Sequence, residues 1–110
     1  MKLLLATILL LPSMIFAQTL DCSLIINNTV VEKNKVEITK GEKTAIFNYE
    51  DLKVSSIMRT ATKFEIEVFN PFEPSRSYAV GELKEITDDL SLVSWKREQI
   101  LEVNCTLVAQ

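Results

Sequence analysis

Along most of this chain the apolar residues recur at every second position. In "FEIEVF" Phe64, Ile66 and Val68 alternate with Glu65 and Glu67. In "LEVNCTLV" Leu101, Val103, Cys105 and Leu107 alternate with Glu102, Asn104 and Thr106, and in "LDCSLII" Leu20, Cys22, Leu24 and Ile26 share one face. A period of two is what a strand buried on one face requires, because successive side chains point to opposite sides of a sheet. The Val, Ile, Thr and Phe content of these runs supports the reading.

Turn-forming groups divide the runs: Asn27-Asn28, Asn34, Gly41, "YEDLK", "RTATK", "NPFEPSRS" and "EITDDL". Nine strands are predicted, at 19–26, 29–32, 35–39, 43–49, 53–59, 63–69, 77–83, 90–97 and 100–108. Many short strands with brief connections imply an all-β fold, a small antiparallel β-sandwich, with a small antiparallel β-barrel as the alternative. One segment competes. In "ELKEITDDL" Leu83, Ile86 and Leu90 have helical spacing, which allows a short helix near 82–90, although Asp88 and Asp89 would oppose its dipole.

The first residues have another character. Lys2 precedes an apolar run from Leu3 to Leu11, Pro12 breaks it, and the small residue Ala17 follows. This is the layout of a cleavable signal peptide over 1–17, leaving a single β domain over 18–110. A transmembrane anchor needs about 20 apolar residues, more than this interrupted run supplies. The expected location is therefore exported, periplasmic or secreted, of bacterial character, without membrane insertion after cleavage.

Export gives the two cysteines their meaning. Cys22 and Cys105 lie near opposite ends of the domain, each on the apolar face of a predicted strand. In an oxidising compartment they should pair. A disulfide needs Cα atoms about 4.4–6.8 Å apart, so the first and last strands should be adjacent or face one another across the core. Closing a loop of nearly the whole domain removes roughly 4–5 kcal/mol of unfolded-chain entropy, a large share of the roughly 5–15 kcal/mol that stabilises a typical domain. Neither a CxxC-like spacing nor an electropositive setting suggests a redox role.

Composition excludes more than it assigns. The chain has no histidine, which removes Ser-His-Asp and Cys-His catalysis and histidine metal sites; zinc would need the two cysteines that the disulfide consumes. Without Lys2, 11 basic residues face 15 acidic ones, a balance that disfavours nucleic acid and anionic lipid. Only Gly41 and Gly81 are glycines, too few for a phosphate-cradling loop. No cofactor, metal or catalytic residue is expected. Glu65 and Glu67, about 6.5–7 Å apart on one strand face, touch the range of inverting glycosidases, but a solvated strand face accounts for the alternation completely and is the reading adopted. Asp88 and Asp89 lack calcium-loop spacing and read as a turn. The sequons at Asn27 and Asn104 matter only in a host that glycosylates exported proteins.

Two segments remain. "FNPFEPSRSY" holds Phe69, Phe72, Arg76 and Tyr78 beside two prolines. Stiff loops lose little entropy on binding, and aromatic and arginine side chains anchor interfaces. These four residues form the candidate partner-binding loop; the alternative is a crossover loop whose Phe72 plugs the core. "LSLVSWKRE" carries the one tryptophan, Trp95. Apolar residues on both of its faces suggest a central strand or a bulge, with Trp95 in the core. The sequence thus reads as a small exported non-catalytic binding module for a protein or cell-envelope component. The alternatives are a structural subunit of an envelope assembly and an inhibitor of a secreted hydrolase.

Overall fold

The computed structural model describes residues 17–72, 74–96 and 99–108. The expected leader lies outside the described residues apart from Ala17, whose backbone pairs with Thr39. Eight strands follow one another: β1 (Ala17–Ile26), β2 (Thr29–Thr39), β3 (Lys43–Tyr49), β4 (Leu52–Met58), β5 (Lys63–Asn70), β6 (Ser75–Glu82), β7 (Asp89–Lys96) and β8 (Gln99–Leu107). They form two four-stranded antiparallel sheets, β2-β1-β8-β7 and β3-β4-β5-β6, packed face to face. The sheets do not close into a barrel, so the sandwich expectation holds and the barrel alternative does not.

The inner faces follow the alternation. Leu20, Cys22 and Leu24 of β1, Phe64 and Ile66 of β5, and Val103 and Cys105 of β8 are fully buried. The β1–β2 hairpin turns at Asn27 and Asn28, whose φ angles of 49° and 67° are the left-handed values a two-residue turn between twisted strands needs. Where β1 then leaves the sheet, its ladder is completed by a side chain. Asn27 N–H donates to the Ile100 carbonyl (2.9 Å), and Ile100 N–H donates to Asn27 Oδ1 (2.9 Å).

Two corners carry the chain between sheets. At the first, Gly41 has φ 84°, a region that penalises any side chain; its N–H donates to the Met58 carbonyl at the end of β4. At the second, Leu83 N–H donates to the Thr62 carbonyl in the β4–β5 turn, and the Leu83 side chain is buried. Sequence reading allowed a helix here. Instead residues 83–88 form an irregular loop organised by one carboxylate, with Asp88 Oδ2 accepting the N–H groups of Lys84 (2.9 Å) and Glu85 (3.0 Å). Those bonds hold the Asp88 carboxyl below its ordinary value. The helical spacing had a different cause, because Leu83 and Leu90 meet the core from a loop and a strand while Ile86 stays exposed.

The predicted strands 29–32 and 35–39 are one strand. Asn34 does not turn the chain; its backbone pairs with Cys22, and its side chain donates to the Ile46 carbonyl in the other sheet (2.8 Å). That carbonyl belongs to a bulge in β3, between Ala45 and Phe47, which turns both Ile46 and Phe47 into the core. The polar run "EKNK" is the exposed edge of a sheet.

The sandwich is closed by the disulfide. Cys22 and Cys105 are direct partners on β1 and β8, with Cα atoms 4.1 Å apart, a narrow cross-strand pair site. The first and last strands are thus adjacent in one sheet, and the bond spans a sequence separation of 83. Reducing the bond, or making Cys22→Ser with Cys105→Ser, should lower stability by about 2–5 kcal/mol in urea unfolding. An unchanged midpoint under reductant would show that the link contributes nothing.

Candidate functional site

Sequence reading placed Phe69, Phe72, Arg76 and Tyr78 in one loop. The segment is instead a β-hairpin: β5 runs to Asn70 and β6 starts at Ser75. The break is confined to the residues around Pro71 and Pro74, where Asn70 Oδ1 accepts the Phe72 N–H (3.0 Å). Phe72 sits on this turn, 75% exposed; it does not plug the core.

The other three share the outer face of the β3–β6 sheet, where Phe69 opposes Arg76 and Glu67 opposes Tyr78. Glu67 organises this face. It is buried although it points away from the core, because Arg76, Tyr78 and Lys43 cover it. Its carboxylate pairs with Lys43 (2.5 Å) and with Arg76 (2.9 Å). The Arg76 guanidinium also lies 4.3 Å from the centroid of the Phe69 ring, within cation–π range. Arg76 is thus fixed from two sides, and Tyr78 stands beside it, 54% exposed. A shallow groove of about 520 Å³ crosses the face between Lys43, Lys53, Phe69 and Arg76.

The hydrogen bond from Lys43, with those from Arg76 and Tyr78, outweighs burial and holds the Glu67 carboxyl below the ordinary glutamate range. A general acid needs the opposite shift, so Glu67 is poorly suited to that part. Its neighbour Glu65 pairs with Arg59 (3.3 Å). The two carboxylates share the predicted face, but each is engaged with basic partners. Among the described residues no group of three or more Cys, Asp or Glu side chains is arranged to hold a metal. Asp89 receives the Asn104 amide (3.0 Å), so the second sequon asparagine is tied to its neighbour strand.

Trp95 departs from expectation. It is 76% exposed, because β7 is an edge strand whose inner face carries Leu90, Leu92 and Ser94. Val93 and Trp95 belong to the outer face, and the sequence pattern had left open which side faced the core.

A second concavity was missed by sequence reading. The β1–β2 and β3–β4 turns, the described residues of the β5–β6 turn and the ends of β7 and β8 at Ser94 and Gln99 lie at one end of the sandwich, and there the sheets part around an open cup of about 910 Å³. Its deeper wall is apolar: Ile26, Leu52, Val68 and Leu101. Its rim is polar, with Asn27, Asn70, Ser75, Ser94 and Gln99 beside the acidic turn residues Glu50 and Asp51. The cause lies in β6. Its inner positions are Ser75, Ser77, Ala79 and Gly81, all small. At the opposite end the space is filled, since a Cβ added at Gly81 would lie 2.8 Å from Leu90 Cδ1. At the hairpin end the facing β7 residue is Ser94, and among the described residues no large side chain of β6 or β7 fills the gap. The signal was present in "SRSYAVGE" as small residues alternating with Arg76, Tyr78 and Val80; the eye follows the large ones, which here face outward.

The Glu67 pairs give a pH signature. A depressed folded-state pKa means the contribution is complete above the unfolded value, about 4.3, and is lost as pH falls through the lower folded value. Glu67→Gln should therefore cost about 0.5–1 kcal/mol at pH 7, given half-exposed basic partners. The gap to wild type should shrink below about pH 4. A gap that stays constant down to pH 2 would contradict the ion pairs.

Comparison with protein-family models, with curated proteins and with solved structures finds no match for this chain, so a reading of its function rests on these two concave surfaces and the side chains that shape them.

Proposed function

We propose that the chain is an exported, non-catalytic binding module that engages a protein or cell-envelope component through the β5–β6 hairpin and the adjoining outer face of its sheet. The observation that carries this reading is the arrangement around Arg76, which is held by Glu67 on one side and Phe69 on the other, with Tyr78 and Phe72 exposed nearby. Aromatic and arginine side chains dominate binding energy at interfaces, and side chains already ordered before contact lose less entropy on binding. The scaffold beneath them is stiffened by paired strands and the disulfide. Paired cysteines also fit an oxidising compartment, which agrees with the signal-like residues 1–17.

A specific observation favours a second reading, a structural subunit. Val93 and Trp95 are exposed on an edge strand, and such edges are sites of strand addition.

One capture experiment separates them. Mature protein, immobilised, is exposed to envelope extract beside the variants Phe72→Ala, Tyr78→Ala and Trp95→Lys. The first reading expects a partner that is weakened at least tenfold by Phe72→Ala or Tyr78→Ala, a typical hot-spot loss. A partner lost only in Trp95→Lys moves the interface to the other sheet and favours the subunit. Capture unchanged in all three would overturn both.

A further inference from the structure

We propose that the mature chain begins at Gln18 and that this residue closes on itself as an N-terminal pyroglutamate, a lactam that leaves the protein without a free α-amine. The inference rests on the export part of the reading above, with residues 1–17 removed, and is independent of the hairpin face.

Sequence and fold meet at this position. The small residue Ala17 closes the leader-like stretch, and β1 is in register with β2 through Ala17↔Thr39, Gln18↔Ile38 and the pairs that follow. A cut after Ala17 removes one pair from that ladder and leaves the rest. One residue further on the strand is held from its other side as well, where the Thr19 carbonyl accepts the Val108 N–H (3.0 Å).

Gln18 is out of keeping with its surroundings. It belongs to the inner-face row Gln18, Leu20, Cys22, Leu24 and Ile26, an amide at the head of apolar side chains. Its direct partner Ile38 and its row neighbour Leu20 are fully buried, and Gln18 itself is half-buried. Cleavage adds a second strongly hydrated group at the same border of the core, the new α-ammonium. Taking such groups from water without compensation costs free energy, most of all for a charge. Cyclisation removes both. The ammonium becomes a neutral lactam N–H that can still donate a hydrogen bond, and the amide becomes a carbonyl on a compact ring.

The reaction needs nothing beyond the residue itself. The α-amino nitrogen attacks Cδ, the N–Cδ bond forms, and the Cδ–Nε2 bond breaks. Nε2 leaves as ammonia, carrying a proton from the α-amine, so no oxidant or reductant takes part. Attacking and attacked atoms are tethered through Cα, Cβ and Cγ, which gives the five-membered closure a high effective concentration. A cut one residue earlier or later would expose Ala17 or Thr19, neither of which carries an amide that can close.

The consequence lies at the one strand end that the disulfide does not reach. The bond pins β1 at Cys22, leaving residues 18–21 ahead of it. Chain ends are where proteolysis concentrates, and an exopeptidase that requires a free α-amine cannot begin on a lactam.

The test takes the full chain, leader included, through an exporting bacterial host. The disulfide-bonded product is weighed by intact mass spectrometry when fresh and again after a week at neutral pH. The expected final mass is that of residues 18–110 less one ammonia, about 17 Da. N-terminal sequencing should then be blocked until the unfolded, reduced chain is treated with pyroglutamyl aminopeptidase, after which it should start at Thr19. Gln18→Asn, whose closure would need a four-membered ring, should keep its full mass and be sequenced directly. A chain that starts at Gln18 and still has its full mass after the week would overturn the cyclisation and leave the export reading standing. A chain that retains its leader, or starts at any other residue, would overturn both the cut and the lactam. The wild-type mass decides the matter even if the variant is poorly exported.

Discussion

The pairing of β1 with β8 is the constraint on which the rest of this structure depends. Every other hydrogen-bonded strand pair joins consecutive strands: β1–β2, β3–β4, β4–β5, β5–β6 and β7–β8. Each forms locally across a short turn. Without β1–β8, one sheet is a four-stranded meander and the other falls into two separate hairpins, and isolated hairpins are marginal in water. Joining them means closing a loop of most of the domain, with a cost that grows as the logarithm of its length. The Cys22–Cys105 bond, at a separation of 83 residues, removes about 4.5 kcal/mol of that cost in the chain-entropy description. Its position inside the core, with both cysteines fully buried, adds the hydrophobic contribution of two small side chains.

Both concave surfaces are consequences of how the inner and outer faces were filled around that frame. On β6 the bulk is reversed: Ser75, Ser77, Ala79 and Gly81 face in, while Arg76, Tyr78 and Val80 face out. Turned outward, Arg76 and Tyr78 can cover Glu67 and build the hairpin face. Turned inward, the small residues let the sheets approach at Gly81 and leave them parted at Ser77. One strand thus shapes two concave surfaces, a groove outside bordered by Lys43, Lys53 and Arg76 and a cup between the sheets.

How far these features were legible in the sequence depended on whether they follow from period alone. Alternation gave the strands, the inner faces of β1, β5 and β8, and the direction of both cysteines, because burial of one face leaves a direct mark on composition. It misread places where polar residues do structural work within a strand. Asn34 looked like a turn and is a cross-sheet tether; Asp88 and Asp89 read as a turn, but that Asp88 holds the loop by accepting the Lys84 and Glu85 N–H groups left no mark in the pattern. Trp95 was placed inside on size, but its phase relative to Leu90 and Leu92 puts it outside. The cup was invisible because it arises from absent bulk on two strands, β6 and β7, that are neighbours in space only across the sandwich edge. The hairpin residues were found as a group, yet the residue that organises them, Glu67, was set aside as a solvated carboxylate, since a period-two pattern cannot show that an outward side chain is covered by its neighbours.

The most direct measurement is native-state hydrogen exchange on the disulfide-bonded protein beside the Cys22→Ser, Cys105→Ser double variant. If the β1–β8 pairing is what unites the sheet, the variant should lose amide protection first along the β1–β8 ladder, while the β4–β5 ladder stays protected. Protection that falls equally in both ladders, or β1–β8 amides as slow in the variant as those of β4–β5, would contradict that account.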